Sequence, residues 1–229
     1  MTHTRNAEAH LLARPGLGPG SAAVEPGLHE LRLERRRDGV LYIPSGYRAD
    51  VPAPLVVLLH GAGGSAHPAL DPFRPLADDA GLILLAIDSR RQTWDVIQGG
   101  YGPDVAFLDR ALALTFSTCA VEPARIAAQG FSDGASYALS LGVTNGDLFT
   151  HVIAFSPGFL APTRQHGMPK IFISHGTRDE VLQIDSTSRR IVPQLRDAGY
   201  DVTYREYDGT HNVPDAIARE AVTWFTAKQ

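Results

Sequence analysis

Arg125-Ile126-Ala127-Ala128-Gln129-Gly130-Phe131-Ser132-Asp133-Gly134-Ala135-Ser136 runs from an apolar strand pattern, through G-x-S-x-G, into a helix opened by small residues. A serine on such a sharp strand-to-helix turn is held in strained backbone geometry with its hydroxyl presented outward. Both flanking positions must be small, because helix and strand approach closely there. The apolar run before the motif, and Ala135, Ser136 and Ala138 after it, set Ser132 apart from a serine in an ordinary tight turn. Ser132 is the candidate nucleophile.

A serine hydroxyl attacks poorly unless a base takes its proton and a third group orients that base. On this kind of turn the partners follow later in the chain, the acid first and the histidine after it. His175-Gly176-Thr177-Arg178-Asp179-Glu180-Val181 follows the apolar run at 170–174, and Asp208-Gly209-Thr210-His211-Asn212-Val213-Pro214 follows that at 202–206. Of the nine histidines, His211 alone sits beyond the last strand with a helix pattern following, so it is the candidate base. Asp179 is the candidate acid, with Glu180 and Asp208 as its competitors. Asp185 reads as a helix cap near Ser186.

A tetrahedral intermediate also needs N–H donors aimed at its oxyanion. The backbone N–H after the nucleophile belongs to Asp133, and a second donor is expected from an early strand-to-helix loop. That loop is His60-Gly61-Ala62-Gly63-Gly64, directly after the apolar run 55–59. Ala62 N–H is the expected donor and Gly63 the fallback. His60 is expected to tie the loop down. The Asp133 side chain either lines the site or caps the helix that follows. The phosphate-binding patterns G-x-x-x-x-G-K-[ST] and G-x-G-x-x-G are absent from this loop. His67, His151 and His166 lack metal-ligand spacing, and the single Cys119 allows no Cys-rich site, so no metal and no cofactor are expected.

Further apolar runs at 83–87 and 151–155 join those at 55–59, 125–129, 170–174 and 202–206. Helical patterns start at Pro103 and span about 133–141, 186–198 and 214–227. Strands alternating with helices predict an α/β, doubly wound and mostly parallel sheet. Residues 28–33 and 40–43, around the turn signal Asp38-Gly39, predict an N-terminal antiparallel hairpin whose end carries solvated Arg35, Arg36 and Arg37. Residues 1–26, rich in Pro and Gly, read as an irregular or partly mobile arm, and residues 27–229 as a single domain. A net charge of −4 without a basic tail argues against a nucleic-acid partner. No apolar run approaches the roughly 18 residues of a membrane span, and no apolar core precedes Arg14 as in a signal peptide. A cytoplasmic protein is expected, of undetermined oligomeric state.

Together, His60-Gly61-Ala62-Gly63-Gly64, Gly130-Phe131-Ser132-Asp133-Gly134, His175-Gly176-Thr177-Arg178-Asp179 and Gly209-Thr210-His211 resemble serine esterases of the α/β-hydrolase superfamily, over about residues 28–227. The nearest groups are the phospholipase/carboxylesterase family and the polyhydroxybutyrate-depolymerase-like esterases. The resemblance implies an α/β-hydrolase fold and hydrolysis of a small-molecule carboxylic ester through an acyl-enzyme. A thioesterase, lysophospholipase or peptidase-type acyl hydrolase is the alternative, and a non-catalytic ligand-binding member a further one. Acyl-protein thioesterases usually have Gln after the nucleophile and Asp closing the oxyanion loop, whereas this chain has Asp133 and Gly64. Cap insertions in the superfamily commonly follow the strand after the nucleophile helix. Only residues 156–169 fill that place, so no cap domain is expected. Phe159, Leu160, Trp94 and Tyr101 are the candidate pocket residues, although a loop tryptophan is equally well a packed anchor. An open cleft of this kind suits small to medium acyl chains.

Overall fold

The continuous apolar runs pair into one eight-stranded sheet, because strands buried on both faces have nowhere else to satisfy their backbone. The computed structural model describes residues 9–16 and 24–227. Its strands are β1 (Gly27–Glu30), β2 (Gly39–Ile43), β3 (Ala53–Leu59), β4 (Ile83–Ile87), β5 (Val121–Phe131), β6 (His151–Phe155), β7 (Lys170–Gly176) and β8 (Val202–Tyr207). They lie in the order β1-β2-β4-β3-β5-β6-β7-β8. β2 is antiparallel to both β1 and β4, and the other pairs are parallel. The sheet is therefore mostly parallel with an antiparallel N-terminal edge.

The helices are α1 (Ala66–Leu70), α2 (Arg74–Ala80), α3 (Pro103–Thr118), α4 (Asp133–Thr144), α5 (Ser188–Asp197) and α6 (Asp215–Thr226). Leu55, Val57, Leu59 and Leu85 point to one face of the sheet, where α3, α4 and α5 pack. Val56, Leu58, Leu84 and Phe155 point to the other, against α1, α2 and α6. Each buried Val, Leu or Ile side chain of this kind contributes about 1.5–3 kcal/mol.

Three local expectations are corrected. The hairpin has no two-residue turn at Asp38-Gly39: β1 ends at Glu30 and Gly39 already lies in β2. The intervening loop is closed by Asp38 Oδ1, which accepts the Leu33 and Glu34 N–H groups at 3.2 and 3.3 Å. Arg37 is not solvated. Its guanidinium donates to the Ser89 carbonyl, to Ser89 Oγ (3.0 Å) and to the Gly64 carbonyl (3.4 Å), whereas Arg35 and Arg36 are exposed. Asp185 caps nothing: it lies in a short 3-10 turn before α5 and pairs with Arg189 at 2.7 Å.

The segment 66–80 was not expected to be helical. Pro68, Pro72 and Pro75 break its apolar period, yet Pro72 and Pro75 stand at first-turn positions, where a missing N–H costs nothing. In the N-terminal segment, residues 9–16 are irregular but packed. Ala9 and Leu11 are fully buried, and Asn145 accepts the Leu11 N–H (2.8 Å) while donating to the Ala9 carbonyl (2.7 Å). Residues 1–8 and 17–23 of the arm lie outside the described residues.

Candidate active site

Gly130 and Gly134 explain the elbow. A Cβ at Gly130 would run into the Gly134 carbonyl, and one at Gly134 into that of Leu59. Without those side chains α4 seats directly on the ends of β3 and β5. Ser132, between them, is forced to φ 56° and ψ −120°. Its N–H donates to the Phe155 carbonyl at 2.9 Å, which locks the turn to the next strand.

His211, on the loop from β8 to α6, places Nε2 2.9 Å from Ser132 Oγ and Nδ1 2.6 Å from Asp179 Oδ2. With Nδ1–H donated to the carboxylate, Nε2 is left as the acceptor for the serine hydroxyl. Asp179 follows β7, and its Oδ1 accepts the N–H groups of Val181 (2.9 Å) and Leu182 (2.8 Å). Burial opposes ionisation of Asp179, but the His211 hydrogen bond, with those from the Leu182 and Val181 amides, holds its carboxyl below the usual range. The competing acids are elsewhere: Glu180 is exposed, and Asp208, 84% exposed, pairs with Arg178. His175 escaped the sequence reading. Fully buried, it donates through Nε2 to the Leu182 carbonyl (2.7 Å) and accepts from Ser188 Oγ at Nδ1 (2.7 Å), bracing the loop that carries Asp179. Burial lowers its pKa, which matches this neutral role.

Gly61 lies against the elbow, where an added Cβ would sit 3.4 Å from Ser132 Cβ. Gly63 is corrected as a donor: its N–H is taken by the Gln92 carbonyl at 2.8 Å. Among the described residues no protein acceptor takes the N–H of Ala62 or of Asp133. His60 ties the loop down, donating through Nδ1 to the Gly61 carbonyl (2.6 Å) and accepting the Ser89 N–H at Nε2 (3.0 Å). Burial pushes its pKa down and keeps it neutral. The Asp133 side chain neither caps nor stands free: Oδ2 accepts from Thr93 Oγ1 at 2.6 Å.

The pocket expectations fare differently. Trp94 is corrected: it is fully buried, stacks on Tyr137 at 4.8 Å between ring centroids, and donates to the His60 carbonyl (2.9 Å). Its indole N–H has a backbone partner in the 60–64 loop, so the ring packs inward. Tyr101 also stacks on Tyr137, at 5.9 Å, and donates to the Ala161 carbonyl at 2.7 Å. Phe159 and Leu160 are half-buried, and the Phe159 N–H donates to Ser136 Oγ at 3.3 Å. None of the four lines either of two cavities found beside the elbow among the described residues. One, of about 600 Å³, is bounded by Phe73, Phe131, His211 and Val213. The other, of about 280 Å³, shares Phe73, Phe131 and Val213 and reaches Gly61 and Ala62. Phe131 also packs on the His211 ring at 4.7 Å. Phe131 was in plain view inside G-x-S-x-G, whereas Phe73 lay in the proline-broken segment that showed no helical period.

Among the described residues no group of three or more His, Cys, Asp or Glu side chains is placed to hold a metal ion, and no helix is long and apolar enough to cross a membrane. No protein-family model matches the chain. It is 27% identical over 179 residues to the probable feruloyl esterase C of Aspergillus niger, covering 75% of this chain and 64% of that protein. The chain spans about three-fifths of the length of the curated relatives it matches. Among solved structures, esterase PE8 superposes with a TM-score of 0.66 at 21% identity, over 80% of this chain and 95% of that one. FphF, a fluorophosphonate-binding serine hydrolase of Staphylococcus aureus, gives 0.70 at 14% identity, over 90% and 100%. With its strand order, its nucleophile-type elbow after β5 and these neighbours, the chain has the α/β-hydrolase fold.

Proposed function

We propose that the protein is a serine hydrolase that cleaves carboxylic esters of small to medium acyl groups through an acyl-enzyme. The observation that carries this reading is the continuous hydrogen-bonded line Ser132 Oγ, His211 Nε2, His211 Nδ1, Asp179 Oδ2, at 2.9 and 2.6 Å. Ser132 Oγ attacks the ester carbonyl carbon while its proton passes to His211 Nε2. The carbonyl oxygen becomes an oxyanion facing the N–H groups of Ala62 and Asp133. The intermediate collapses, the C–O bond breaks, and the alcohol leaves with the proton from His211. Water then attacks the acyl-serine with His211 as base, releasing the acid and restoring the serine. Asp179 keeps His211 in the required tautomer throughout and stabilises its transient positive charge.

Cavities of about 600 and 280 Å³, walled by Phe73, Phe131 and Val213, offer room for a short aliphatic or single-ring group. The name of the Aspergillus relative makes a phenolic-acid ester a reasonable member of the substrate panel. The test is a p-nitrophenyl ester series of increasing acyl length, together with methyl ferulate and a thioester, run on wild type and Ser132→Ala. Turnover that peaks at short to medium acyl length and falls about 10⁴-fold or more in Ser132→Ala is expected. Undiminished turnover in that variant overturns the mechanism, and preference for the thioester overturns the substrate class.

A further inference from the structure

The two oxyanion donors proposed above sit on separate segments, Ala62 after β3 and Asp133 after β5. An oxyanion hole works only when its donors converge on one point before the reaction begins. The strands before them pair directly, Leu59 beside Gly130, and beyond that pairing the turn after β4 bridges the two segments. Its three consecutive residues 92–94 each bond to them. The Gln92 carbonyl accepts the Gly63 N–H (2.8 Å), fixing the peptide that follows Ala62. Thr93 Oγ1 donates to Asp133 Oδ2 (2.6 Å), and Trp94 Nε1 donates to the His60 carbonyl (2.9 Å).

The turn is itself pinned. Buried Asp104 accepts the N–H groups of Arg90 and of Asp95 (2.7 Å), and Asp95 in return accepts those of Gly102 (2.8 Å) and Asp104 (2.9 Å). These reciprocal bonds close the base of residues 90–104, while Trp94 and Tyr101 stack on Tyr137 inside it. A rigid platform is thereby fastened at one end to the oxyanion loop and at the other to the first residue of α4. The Thr93–Asp133 hydrogen bond is the point at which residues 92–94 reach the first residue of α4, beside the stacking of Trp94 and Tyr101 on Tyr137 farther along that helix.

We propose that Thr93 is a positioning residue of the reaction: through Asp133 it keeps the second oxyanion donor aligned with Ala62. The proposal rests on the serine-hydrolase reading. Thr93→Val keeps the shape and removes the hydroxyl, whereas Thr93→Ser keeps the hydroxyl. Both are compared with wild type in kcat, KM and Tm, and in the Ki of a trifluoromethyl ketone, whose hemiketal places an oxyanion in the hole. Thr93→Val is expected to lower kcat about ten- to a hundred-fold and to raise Ki by a similar factor, with KM and Tm nearly unchanged. Thr93→Ser restores both. A Ser132-dependent enzyme whose kcat and Ki ignore Thr93→Val overturns the proposal alone. So does equal loss in both variants accompanied by a lowered Tm, which would make Thr93 a packing residue. Hydrolysis surviving in Ser132→Ala overturns the underlying reading itself.

Discussion

Ser132 sits at φ 56°, a backbone conformation that costs a non-glycine residue about 1–3 kcal/mol and persists only where its surroundings over-determine it. Here the over-determination comes from Gly130 and Gly134, whose missing side chains let α4 rest on the strand ends. Gly134→Ala is therefore expected to cost more than about 3 kcal/mol, because its Cβ meets backbone that cannot yield. A thermal melt of the purified variant, or its failure to appear in the soluble fraction, is the measurement. At Asp179 the deciding facts are the hydrogen bonds to His211, Val181 and Leu182, none of which Glu180 shares. Asp179→Asn is expected to lower kcat/KM about 10³- to 10⁴-fold, since the wrong histidine tautomer is then favoured. Glu180→Gln stays within about twofold, as exposed substitutions usually do. The reverse pattern in steady-state assays transfers the orienting role to Glu180. Residue identity was legible here because G-x-S-x-G is a local steric requirement. The choice among Asp179, Glu180 and Asp208 was open, because a short loop can aim neighbouring side chains in opposite directions.

Among the elements, α4 was read as far as residue 141 and extends to Thr144, with every position from Gly134 onward buried. A helix covered all round shows no polar face to mark its end. Its C-terminal end is held by Asn145, which bonds the backbone of Ala9 and Leu11 and also the Leu141 carbonyl (2.9 Å). Asn145→Ala leaves these buried backbone groups unpaired and is expected to destabilise the fold by about 1–3 kcal/mol. A lower urea midpoint at unchanged slope is the check, and an unchanged midpoint shows that the Asn145 bonds contribute nothing to stability. The helices α1 and α2 were illegible for a different reason. Pro72 and Pro75 open the 3-10 turn at 71–73 and α2, where they start helices, but in sequence they look like breakers. Trp94 could be placed on a loop but not turned inward or outward, since that depended on the His60 carbonyl some thirty residues earlier.

For the molecule as a whole, the buried pair Asp95–Asp104 links stability to pH. Burial, with Asp95 nearby, pushes the Asp104 carboxyl up to about 6 from an ordinary 3.8. Between those values the folded chain holds a proton that the unfolded chain has released. The resulting stabilisation is fully present below pH 3.8 and is lost as pH rises through about 6. The Tm of wild type relative to Asp104→Asn is thus expected to fall between pH 4 and 7; a constant difference across that range rules out the linkage. The sequence by itself determined the alternation of strands and helices, the parallel sheet with its antiparallel edge, and four motifs at strand ends. All of these are written in local period and local sterics. Only the tertiary structure decided that Gly63 N–H is already spent, that Trp94 is buried, and that the cavities lie against Phe73, Phe131 and Val213. It also decided that Asp179 Oδ2 is the carboxylate oxygen against His211, across 32 residues, and that His211 meets Ser132 across 79. Such contacts depend on how distant segments pack, and no short window of sequence contains both partners.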